Sequence, residues 1–232
     1  MRKFLWPILL ALAGCATAPR GEAPPAEAPP PAPPVPEAAP PAPGASWHVV
    51  ASNLSIRVFR DGPMQKLGHD HLIVSKSLTG DIAVREPLAA SSFVLRVPLE
   101  SLVVDDAEAR AAAGGIFAAP VPARDAEGTR RNMLGEKLLN AAREPVMTLA
   151  SESVTESAGG YEARVRVGLA GGEHVVTVPF TLRPGKDVLA AHAEFRLTHA
   201  DLGLEPFTVA LGALKVRDDF EVDLTLEARP AA

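Results

Sequence analysis

Apolar and polar residues alternate along most of the chain after residue 46, with the two-residue period of half-buried β-strands. Tyr161, Ala163, Val165, Val167 and Leu169 form one side of such a row, with Glu162, Arg164, Arg166 and Gly168 on the other. Near the C-terminus, Val216, Phe220, Val222, Leu224 and Leu226 oppose Lys215, Arg217, Asp219, Glu221, Asp223 and Thr225. Phe93, Leu95, Val97 and Leu99 make a third row, and Val176, Val178, Phe180 and Leu182 a fourth. Further strands are predicted over 47–60, 76–86, 146–156 and 188–198. Asp61-Gly62-Pro63, Gly159-Gly160, Gly171-Gly172 and Pro184-Gly185 supply turns between them. One apolar and one charged face per strand suits an antiparallel sheet, because parallel sheets are buried on both faces.

The alternation lapses between 105 and 143, where Asp105 to Arg110 and Thr129 to Arg143 favour helix, broken by Gly114-Gly115, Pro120 and Pro122. Asp105, Asp106 and Glu108 read as a solvated helix start, since acidic side chains complement the helix N-terminus. An excursion this long exceeds a hairpin loop and suggests a flap or binding element. The pattern as a whole predicts a mainly β fold: about eight antiparallel strands closed into a barrel, with a short helical insertion. Closure removes exposed sheet edges.

Composition divides the chain. Of 23 prolines in 232 residues, twelve fall between Pro19 and Pro43, in a stretch of Pro, Ala and a few Glu. Such a segment has too little apolar area to offset chain entropy and reads as an extended tether. Before it, Arg2 and Lys3 precede a short apolar run from Phe4 to Ala13, the layout of a secretory signal peptide. Leu12-Ala13-Gly14-Cys15 resembles the bacterial lipoprotein signal, in which the cysteine is acylated and becomes the first residue. The expected organisation is therefore a signal peptide over 1–14, an acylated Cys15 and tether over 15–45, and a barrel domain over 46–232. Ala16, in place of the aspartate that marks inner-membrane retention, points to the periplasmic face of the outer membrane. A single cysteine excludes an internal disulfide framework and any multi-cysteine zinc site. The net charge of −5 argues against broad nucleic-acid binding.

Gly68-His69-Asp70-His71 is the sharpest local feature. On a strand, His69 and His71 share a face and Asp70 takes the other. Two imidazoles fall short of a metal site, which needs a third ligand. His174, His192 and His199 are too scattered in sequence to supply one by spacing. The reading preferred for His69, Asp70 and His71 is a polar barrel mouth that bonds backbone or the head of a ligand. No serine-nucleophile motif, phosphate-cradling loop or dinucleotide fingerprint is present, and no enzymatic activity is expected. Trp47 is expected to cover a barrel end.

These residues resemble the YceI-like family of lipocalin-like periplasmic barrels associated with polyisoprenoid binding. The resemblance spans roughly 47–228. It rests on Arg130-Arg131-Asn132-Met133-Leu134 followed by Glu144-Pro145-Val146-Met147-Thr148, on Gly168-Leu169 before a glycine turn, and on Gly212-Ala213-Leu214-Lys215-Val216-Arg217-Asp218 before the last strand. The chain departs from the family at Arg131, where an aspartate is usual, and at Glu144, where a tyrosine is usual. The resemblance implies a hollow barrel that holds a long apolar tail, without catalysis.

Alternation places Phe93, Leu95, Val97, Val165, Val167, Val178, Phe180, Phe195, Val222 and Leu224 on the inner wall, and they are the candidate ligand-binding residues. The expected ligand is an isoprenoid lipid or quinone, with no resident cofactor and no metal. The expected partners are that apolar ligand and the membrane, the latter through acylated Cys15; a homodimer stays open. Two alternatives remain: a metal- or heme-associated envelope protein using His69 and His71, or a structural adaptor without a ligand.

Overall fold

The computed structural model describes residues 45–231. The signal-like segment, Cys15 and the Pro/Ala-rich tether lie outside the described residues. The strands are β1 (Ala45–Asp61), β2 (His71–Ser75), β3 (Thr79–Val84), β4 (Ser92–Pro98), β5 (Val103–Val104) and β6 (Val146–Ser157). They continue as β7 (Gly160–Leu169), β8 (Gly172–Pro184), β9 (Leu189–Thr198), β10 (Thr208–Val209) and β11 (Leu214–Pro230).

Neighbours run in the order β11-β9-β8-β7-β6-β4-β3-β1, all antiparallel, and the pairing of β11 with β1 closes the ring. The result is an eight-stranded barrel. β1 and β11, at 17 residues each the longest strands, zip together from Trp47 opposite Pro230 to Asp61 opposite Lys215. Two register shifts, at Val49/Ala51 and Val58/Arg60, bend this pair. An extra residue on one strand raises local twist, which a long strand needs to follow a barrel wall.

The strand expected over 76–86 is the shorter β3, and β2 before it is a separate strand that the alternation did not reveal. β2 pairs with Leu54–Val58 of β1, and β3 pairs with Ala45–His48. Gly80 in β3 has φ +147°, and a Cβ there would stand 2.2 Å from the carbonyl oxygen of Val94. Only glycine lets β3 approach β4 this closely.

The insertion holds helices α1 (Ala107–Ala113) and α2 (Ala123–Leu134). Asp106 caps α1 by accepting from the Ala109 N–H at 2.9 Å. α2 starts and stops earlier than the expected 129–143. It begins directly after Pro122, whose fixed φ suits a helix start, and ends at Gly135. Residues 136–143 form turns, with Asn140 in the left-handed region at φ 47°. Arg130 pins α2 to the barrel end by donating to the carbonyls of Leu102 (3.1 Å) and Glu100 (2.8 Å). Trp47 is buried at the opposite end, where β1 begins and β11 finishes.

Candidate functional site

The inward side of each strand carries Val, Leu, Ala and a few Phe, so the barrel interior is apolar and incompletely filled. All ten apolar positions picked out by alternation line one inner chamber of about 190 Å³. Its walls are cross-strand pairs: Val165 opposite Val176, Ala163 opposite Val178, Val222 opposite Phe195, Leu224 opposite Ala193. Tyr161 and Phe180 stack at 5.5 Å between ring centroids. Ala163 and Ala193 are what keep the centre open, since a larger side chain at either would project into this space.

A second chamber of about 490 Å³ lies towards the end covered by α2, and it shares Ile56, Met147, Leu202 and Phe220 with the first as wall. Here the lining becomes mixed: Arg60, His69, His71, Asp125, Thr129, Asn132, His199 and Lys215 interrupt the apolar surface. Of its lining, Leu67, Phe207 and Val209 are exposed, and Met64 and Leu211 are exposed near them in sequence. The two loops that carry them are joined by the Met64 N–H donating to the Ala213 carbonyl at 2.8 Å.

The expected strand through 69–71 does not form, because β2 starts only at His71. His69 and His71 still converge, with ring centroids 6.2 Å apart in an edge-to-face arrangement. Asp70 turns away and accepts from the Arg60 backbone N–H at 3.0 Å, with its carboxylate also 3.5 Å from the Arg60 Nε. His69 Nε2 lies 3.5 Å from an Asp125 carboxylate oxygen. Of the scattered histidines, His199 reaches this chamber, but its Nδ1 sits 2.6 Å from the Asp218 carbonyl. Among the described residues, no group of three or more His, Cys, Asp or Glu side chains is placed to hold a metal ion.

The reading of Asp105 as part of a solvated helix start is wrong. Its carboxylate is fully buried. One oxygen accepts from the Leu72 N–H at 3.0 Å and from Arg110 Nη1 at 2.5 Å, and the other faces His71 Nδ1 at 2.6 Å. Burial by itself would raise the Asp105 pKa, but the bonds from His71 and the Leu72 N–H, with the Arg110 guanidinium, hold it below the ordinary carboxylate value. Arg110, also buried, places three further donors on the carbonyls of Asp70 (2.9 Å) and Ala119 (3.1 and 2.9 Å). On the far side of His71, Nε2 lies 3.2 Å from Thr129 Oγ1 of α2. Sequence reasoning missed Asp105, Arg110 and Thr129.

The sequence profile of the YceI-like domain matches residues 52–228. The chain belongs to the YceI-like domain family. Several solved structures share the barrel, among them the following two. The Burkholderia cenocepacia protein BcnA aligns with a TM-score of 0.53 at 12% identity, covering 76% of this chain and 95% of its own. A domain from Saccharophagus degradans, described as a polyisoprenoid-binding domain implicated in plant cell wall breakdown, aligns with a TM-score of 0.50 at 15% identity. That alignment covers 81% of this chain and 99% of the domain. A comparison with curated protein sequences finds no match. The closed eight-stranded antiparallel barrel with its short helical insertion is thus a YceI-like barrel, as the motif resemblance implied.

Proposed function

We propose that this YceI-like protein is a lipid-binding protein of the cell envelope. One isoprenoid or other long apolar ligand lies with its tail in the inner chamber and its polar end towards His69 and His71. The observation that carries this reading is the inner chamber itself, which is walled by apolar side chains from all eight strands of the barrel and shares Ile56, Met147, Leu202 and Phe220 with the mixed, polar-bearing mouth chamber. Moving a prenyl tail out of water into such a wall is favourable by roughly 25 cal/mol per Å² of apolar surface, with no charged partner needed. The description of the Saccharophagus domain as polyisoprenoid-binding supports the same class of ligand.

Attachment at the periplasmic face of the outer membrane through acylated Cys15 belongs to this proposal, and it would keep the barrel close to a source of its ligand. The exposed apolar edge formed by Met64, Leu67, Phe207, Val209 and Leu211 would give a tail a route into the mouth. The test is native mass spectrometry and lipid extraction on protein purified from its own membrane. A co-purifying apolar lipid in stoichiometric amount is the expected result. A barrel consistently empty, and unable to take up added polyprenols, overturns the proposal.

A further inference from the structure

A single file of polar groups runs from the buried ion pair to the mouth chamber: Arg110, Asp105, His71, Thr129. Counting protons along it decides what its open end can bind. Asp105 is fully buried and faces only donors: Arg110 Nη1, the Leu72 N–H and His71 Nδ1. It is therefore a carboxylate, and the depressed pKa caused by these bonds agrees. The His71 Nδ1 at 2.6 Å must carry a hydrogen. In the neutral imidazole, Nε2 then has only a lone pair, and the Thr129 hydroxyl at 3.2 Å donates its one proton to it. Thr129 Oγ1 is left with lone pairs towards the chamber it lines.

We infer that the Asp105–His71–Thr129 chain is a head-group subsite that selects a hydrogen-bond-donating head, an alcohol on an apolar tail, over heads that only accept. Quinone carbonyls, ethers and esters belong to the second class. Such a head finds no donor at Thr129 unless the Thr129–His71 bond breaks. Asn132, one turn further along α2 and exposed, has an amide that donates or accepts and so does not discriminate. His71 and Asp105 act here as positioning residues for Thr129.

Protonating His71 reverses the file: Nε2–H donates to Thr129, whose own proton is then free for an accepting head. The charged and titratable groups around His71 are Asp105 before α1, Arg110 on α1, His69 on the preceding loop and, beyond His69, Asp125 on α2.

The inference rests on the lipid-binding reading, and the experiment separates the two. Geranylgeraniol and its methyl ether, which share one tail, compete against a fluorescent apolar probe at about pH 8. The alcohol is expected to bind roughly five- to tenfold tighter, the worth of one hydrogen bond. Thr129→Val combined with His71→Phe, which removes both acceptors, should equalise the two ligands, and Thr129→Ser should keep the preference. Equal affinities in the wild type at high pH, or a preference unchanged in the Thr129→Val, His71→Phe double variant, overturns the subsite. Failure of both compounds to displace the probe overturns the lipid-binding reading and the subsite with it.

Discussion

Asp105 and His71 stand 34 positions apart in the chain, yet a carboxylate oxygen of one lies 2.6 Å from Nδ1 of the other. This contact ties the start of the helical insertion to the first residue of β2. Arg110 completes it from within α1, so the flap is fastened to the barrel by a buried charge pair and an imidazole.

Asp105→Asn should destabilise the fold by about 3–5 kcal/mol, because it leaves the Arg110 guanidinium buried without its counter-charge. The folded-state pKa of Asp105 is lowered, so its contribution is present above the unfolded carboxylate value of about 3.9 and is lost as pH falls through the folded value. Wild-type stability should therefore drop on acidification over that window. Asp105→Asn should show a shallower drop there, since it has no such proton to take up. Urea unfolding followed by circular dichroism between about pH 2 and 7 reads both effects.

Ala193→Phe should fill the inner chamber. Ala193 is buried on β9 opposite Leu224 and lines the chamber, so the added ring enters apolar space. Lipid affinity should fall by roughly tenfold or more while the unfolding midpoint stays level or rises. A variant that unfolds easily yet binds lipid as before would show that the chamber is not where the tail lies.

Gly80→Ala should cost about 1–3 kcal/mol through the strained φ and the collision with the Val94 carbonyl. The loss should appear in thermal unfolding. Because Gly80 lies within β3 opposite Leu95 of β4 and does not line the mouth chamber, ligand preference should be retained in the folded fraction.

Cys15→Ser should release the protein from the membrane fraction. One acyl chain holds a protein only marginally and several hold it firmly, so loss of the acylation site should be visible in a simple fractionation. A Cys15→Ser protein that stays with the membrane would rule out the acyl anchor.

The strands were legible because alternation is a local property: whether β7 buries Val165 and exposes Arg164 is written in adjacent residues. The ten inner-wall positions followed from the same rule and all line the inner chamber. The limits of α2 were less legible, since helix propensity continued through 135–143, while Pro122 and Gly135 had the stronger say. His69 and His71 stood out as a motif, but their partners did not. Asp105 looked like an ordinary acidic residue at a helix start, and Thr129 like a polar residue of a surface helix.

By itself the sequence determined the period of the strands, their antiparallel class, the helical excursion and the identity of the inner wall. These depend on residues within a few positions of each other and on one choice, which face meets water. Tertiary structure alone decided that β11 closes on β1, that the interior stays partly open, and that Asp105, His71 and Thr129 line up. Closure brings together residues whose separations along the chain carry no periodic trace. The protonation order along that file exists only when burial removes water as the competing partner.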